Sequence, residues 1–87
     1  MTLDYPHIVV LKGRQCGTRW NNTSGEMQIA VMDESYRLNL GDFVDVLIGG
    51  EGGKIQKFKV ISPPIFREGA FREKGAKYRL MFKVAEV

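Results

Sequence analysis

Ligand-type side chains are what this 87-residue sequence has least of. One cysteine, Cys16, excludes an intramolecular disulfide and any thiolate cluster. One histidine, His7, leaves almost nothing for zinc to bind. No cofactor is therefore expected. The N-terminus lacks a basic segment followed by an apolar run, so no signal peptide is read there. The longest apolar stretches, such as residues 8–11, are far too short to span a bilayer. A cytoplasmic protein without a membrane partner is the expectation, and the two overlapping sequons at Asn21 and Asn22 read as chance matches in a polar stretch.

Helical spacing with caps is also missing. Residues 67–77 carry helix-friendly charges, but Gly69 and Gly75 argue against a regular helix. The near-duplication of residues 66–70 by residues 71–76 is too short for a structural repeat, and the stretch reads as a loop or an irregular extended arm.

What is present has the period of strands. Residues 7–12 form a β-branched run after Pro6, read as a first strand buried on both faces, and residues 14–25 read as a long loop rich in Gly, Asn, Thr and Ser. Residues 26–32 are a second strand. Tyr36, Leu38 and Leu40 alternate with polar neighbours as a short third strand, and Gly41-Asp42 is a turn before a fourth over residues 43–48. The glycines of residues 49–53 make a hairpin tip, since glycine supplies whatever positive φ a tight connection needs. A fifth strand over residues 55–62 stops at Pro63-Pro64. In the last strand, residues 77–85, Tyr78, Leu80, Phe82 and Val84 line one face, expected to pack inward with Val44, Val46, Phe58 and Val60.

About six short, mostly antiparallel strands predict an all-β single domain over residues 1–87, a small barrel or sandwich of the OB, SH3 or PUA size class. A core this thin would gain from homodimerisation. Strand parity in the hairpin pairs Val44 with Val60 and Val46 with Phe58, which sets Asp45 opposite Lys59 as an outer ion pair.

The stretch Leu38-Asn39-Leu40-Gly41-Asp42-Phe43-Val44-Asp45-Val46 resembles the L-x-x-GD-x-V turn of small barrels and is similar to part of ASCH/PUA-like domains. The similarity extends over residues 28–84 and implies a barrel fold. The charged motif that carries function in those domains is absent, because residues 30–34 read Ala-Val-Met-Asp-Glu.

Catalytic patterns fail one by one. No family pattern surrounds Cys16 or His7, and the acids at 26, 33, 34, 42 and 45 sit where turn and strand-face acids are solvated. The P-loop pattern breaks at Gly53-Lys54-Ile55. Arg14 and Arg19 with Asn22-Thr23-Ser24 miss the spacing of a PilZ-type cyclic-dinucleotide motif. The chain is expected not to be an enzyme.

Charge, by contrast, is sorted along the chain. Residues 1–25 hold three basic and one acidic residue, residues 26–51 one basic and six acidic, and residues 52–87 nine basic and three acidic. The first basic cluster is Lys12, Arg14 and Arg19 with Trp20. The second is Arg67, Arg72, Lys74, Lys77, Arg79 and Lys83, interleaved with Phe66, Phe71 and Tyr78. Cations interleaved with aromatics are the footprint of nucleic-acid binding, phosphates meeting the cations and bases stacking on the rings. The expected function is non-catalytic binding of a phosphate-bearing ligand, nucleic acid or nucleotide, through Lys12, Arg14, Arg19, Trp20, Arg67, Arg72, Lys74, Lys77 and Arg79. The alternative is a small protein-interaction module or inhibitor docking on a partner protein. Whether the two clusters share one face separates the two.

Overall fold

Alternation, with every second residue buried, carries most of the chain into strands, seen in a computed structural model that describes residues 5–50, 52–68 and 76–87. Arg72 and Lys74 lie outside the described residues, as does Phe71. The described residues form seven strands: β1 (His7–Leu11), β2 (Arg14–Asn21), β3 (Glu26–Val31), β4 (Phe43–Ile48), β5 (Lys54–Val60), β6 (Ile65–Glu68) and β7 (Tyr78–Glu86). No helix occurs among the described residues.

All pairings are antiparallel, in the order β3-β2-β1-β4-β5-β7, and a β3–β7 ladder closes the sheet into a six-stranded barrel. The arrangement β3-β2-β1-β4 is a Greek key, three consecutive strands with a fourth returning beside the first. β6 is an extra strand. It takes the edge of β7 that β5 leaves free, pairing Ile65 with Met81 and Arg67 with Arg79. Between β5 and β6 the ladder is bridged rather than broken. Ile61 N donates to Lys83 O at 2.9 Å, and Lys83 N donates to Ser62 Oγ at 2.7 Å, just before the two prolines that cannot donate.

The interior holds Val9, Met27, Ile29, Val31, Val46, Phe58, Val60 and Leu80, all essentially inaccessible to water. Val44, Phe82 and Val84 are buried with them, while Tyr78 is half-buried at the rim. The one buried polar residue among the described residues, Thr18, donates from Oγ1 to Cys16 O at 3.0 Å, which meets the requirement that a buried hydroxyl find a partner. The glycine tip behaves as its composition requires, with Gly49, Gly50 and Gly52 all at positive φ.

Four expectations need correction. Residues 14–25 are not a long loop: Arg14–Asn21 is β2, paired on both edges, with Cys16 and Thr18 buried in the wall. Its first inward residues, Cys16 and Thr18, are small, so the hydrophobic alternation that marks a strand is muted. Residues 36–40 are not a strand. They pair with no strand among the described residues. They cross one end of the barrel instead, with Tyr36 buried beneath. Turns pin both sides: Ser35 N and Oγ donate to Asp33 Oδ1, and Asn39 N donates to Asp42 Oδ2 at 2.8 Å. The first strand is not buried on both faces, since Val10 is 55% exposed. Finally, the β4–β5 register is two residues away from the expected one. Val44 pairs with Phe58 and Asp45 with Lys57, leaving Phe43 opposite Lys59. A two-residue slip keeps every side chain on its face, so the core reading survives while the Asp45–Lys59 ion pair does not.

Candidate nucleic-acid interface

Strand parity decides where the cations go. In β2 the even residues Cys16, Thr18 and Trp20 turn inward, so Arg19 projects outward with Gly17. In β7 Leu80, Phe82 and Val84 fill the interior, so Lys77, Arg79, Met81 and Lys83 line the outside. β3 joins these two strands. Its outer residues form rows with theirs: Arg19 beside Gln28 beside Met81, and Ala30 beside Arg79 beside Arg67 of β6. Two strand spacings and two residues of rise separate Arg19 from Arg79, about 12 Å at the backbone. Arg19 of the first cluster and Arg67, Lys77 and Arg79 of the second therefore share one outer face.

Lys12 and Arg14 lie at the barrel end beside that face, where Arg14, an even residue of β2, has inward parity. Arg14 borders a small depression of about 60 Å³, together with Gly17, Ala30, Tyr36 and Ala76. Gly17 and Ala30 floor it because neither side chain rises above the sheet. Lys12 sits in the β1–β2 turn at φ 52° and donates from Nζ to Ser35 Oγ at 2.7 Å, 5.0 Å from the centre of the Tyr36 ring. Ala76 leads directly into Lys77, so the depression lies where the two clusters meet. Its volume is about two waters' share of liquid, room for one oxyanion and too little for a nucleoside.

The aromatic half of the expected footprint sits elsewhere. Trp20 is half-buried, its ring edge-on to Phe58 with centroids 4.8 Å apart. Phe66 and Tyr78 meet edge-on at 6.1 Å on the inward side, and Arg37 lies over Phe66 at 5.5 Å. The same parity that sends cations outward turns these rings inward. Among the described residues the arginine face carries no strongly exposed ring, and Phe71 lies outside them.

Among the described residues, the most exposed aromatic is one the sequence reading did not single out. Phe43, 56% exposed, projects from β4 with Lys57 and Lys59 over its ring at 5.8 and 5.9 Å. The signal was there in β4 itself, whose run Phe-Val-Asp-Val-Leu-Ile is apolar on both faces.

Cys16 and His7 both lie in the barrel wall. Cys16 is buried on the inner side, its Sγ 3.7 Å from Arg14 O, and burial pushes its thiol above the usual range. Among the described residues no cluster of three or more His, Cys, Asp or Glu could hold a metal, and no helix is long and apolar enough to cross a membrane. His7 Nδ1 accepts from Gly49 N at 2.8 Å, tying β1 to the hairpin tip, and burial lowers its pKa. A histidine whose folded pKa lies below its unfolded one binds fewer protons when folded, so stability rises with pH across the interval between the two values. His7 thus favours the fold fully above its unfolded pKa near 6.5, and less as pH falls toward the folded value. Chemical denaturation at pH 7.5 and pH 5 should show the wild type losing more stability on acidification than His7→Gln; equal losses would contradict this role.

No family model matches the chain, and no characterised protein or solved structure matches it significantly.

Proposed function

We propose that this barrel is a non-catalytic protein that binds the phosphate backbone of a nucleic acid. The observation that supports the reading most is the convergence of Arg19, Arg67, Lys77 and Arg79 on one outer face, with Arg14 at a phosphate-sized depression where the clusters meet. Two further features favour nucleic acid over a free nucleotide: the depression is too small for a base, and the face runs across four strands. Binding through phosphates predicts tolerance of sequence and strong dependence on salt.

The experiment is a titration of short single-stranded RNA over a range of salt. Five contributing cations predict a slope of log affinity against log salt near −3.5, at about −0.7 per neutralised phosphate on a single strand. Arg19→Ala, at an exposed position, should weaken binding to all sequences alike and make the slope shallower by about one phosphate's worth. A slope that does not change on that substitution would remove Arg19 from the interface.

A further inference from the structure

On the other side of the barrel the wall is only partly laced. β1 and β4 pair at Ile8–Leu47 and Val9–Val46 and at no further position, although β1 runs on to Leu11 and β4 begins at Phe43. Both strands are satisfied on their other edges, by β2 and by β5. Past Val9 the facing edges of residues 10–11 and 43–45 stand apart, and a groove of about 340 Å³ opens between them. Val10, Leu11, Leu38, Phe43, Leu47 and Ile55 line it. Val10, Phe43 and Ile55 are each more than half exposed, an apolar surface that a barrel of this size has reason to cover.

Unpaired strand edges beside apolar side chains are what barrel closure normally removes, because such an edge templates pairing with another chain. The rim also carries charge. Lys57 and Lys59 project to the same surface over the Phe43 ring, and neither makes an ion pair among the described residues. Asp45 is the single carboxylate among the lining residues.

We propose that this groove docks an extended segment of a partner protein. The segment adds its backbone to the free edge of β4 at residues 43–45. It seats alternate apolar side chains against Val10, Leu38 and Phe43 and presents acidic residues to Lys57 and Lys59. Strand addition takes its affinity from main-chain hydrogen bonds and its selectivity from the side chains between them. The site is separate from the arginine face, and each stands without the other.

Three peptides of about ten residues test it by amide chemical shifts: one alternating isoleucine with glutamate, one with lysine in place of glutamate, and the acidic peptide N-methylated at successive alternate amides. The acidic peptide should shift the amides of residues 10–11 and 43–45. The lysine peptide should bind at least about tenfold more weakly, a difference near 1.4 kcal/mol. N-methylation of the pairing amides should abolish binding, while methylation of the others should not. Phe43→Ala, at a solvent-exposed position that leaves the core intact, should weaken binding about tenfold, and Lys57→Glu with Lys59→Glu should transfer the preference to the lysine peptide. Equal binding of both charges, indifference to N-methylation, shifts confined to other residues, or no binding at millimolar peptide would each overturn the proposal. So would concentration-dependent shifts of these same amides without peptide, which would make the occupant a second copy of the chain.

Discussion

Phe58→Ala unfolds this protein or brings it to the verge of unfolding. Phe58 is fully inaccessible, pairs across the barrel wall with Val44, and receives the edge of Trp20. Truncating a buried phenylalanine costs about 3–5 kcal/mol through lost transfer energy and the cavity left behind. A domain of this length has roughly 4–13 kcal/mol to lose, and each kcal/mol lowers the melting midpoint by about 4–8 °C. A midpoint lower by some 20 °C, or no cooperative transition at all, is the expected result. Phe82→Ala should behave similarly, since Phe82 is buried beside Met27. Phe43→Ala is the control. It removes the same ring from an exposed outer position and should cost less than about 1 kcal/mol. Equal losses at Phe43 and Phe58 would mean that the inner and outer faces have been exchanged.

Charge reversal on the arginine face should have the second large effect. Arg19→Glu with Arg67→Glu replaces two solvated cations on β2 and β6 by anions without touching the interior. Each reversal removes a phosphate contact and adds repulsion, so affinity for RNA at low salt should fall by about a hundredfold, some 2.7 kcal/mol. The melting midpoint should hardly move, because solvated surface positions contribute within about 0.5 kcal/mol. Lys57→Glu with Lys59→Glu changes the net charge by the same amount on the opposite face and should leave far more of the affinity. If the two double variants lose affinity equally, RNA is sensing net charge and not a face.

The parts of the fold legible in the sequence are those where the interior is apolar. β5 and β7 alternate, β4 is apolar almost throughout, and Val44, Val46, Phe58, Val60, Leu80, Phe82 and Val84 face inward as expected, because parity survives small errors of register. β2 was hidden by its own composition. Cys16 and Thr18 fill the wall with small side chains, and Gly17 beneath the basic surface looks like loop chemistry until β3 is seen beside it. Tyr36, Leu38 and Leu40 misled in the opposite sense. They alternate, but they pair with no strand among the described residues, and Tyr36 is turned into the core instead. β6 had no signal of its own, since its four residues are held by the vacated edge of β7.

The candidate site divides along the same line. That Arg19 of the first cluster shares a face with Arg67, Lys77 and Arg79 of the second depends on the β3–β7 ladder, a contact between distant segments that no local pattern encodes. The interleaved aromatics were visible in sequence, but their orientation was not, because neighbours in a strand point to opposite sides. Trp20 shows the consequence. Its removal should appear mainly as lost stability against Phe58, with the salt slope of RNA binding unchanged.

The most direct test is an amide-shift map of the protein titrated with a short single-stranded RNA at about 150 mM salt, where screening removes most non-specific attraction. The phosphate-binding account predicts shifts concentrated at Gly17, Arg19, Gln28, Ala30, Arg67 and Arg79, with Val10, Phe43 and Ile55 undisturbed. No binding at that salt, or shifts gathered around Phe43 and Ile55 instead, would contradict it.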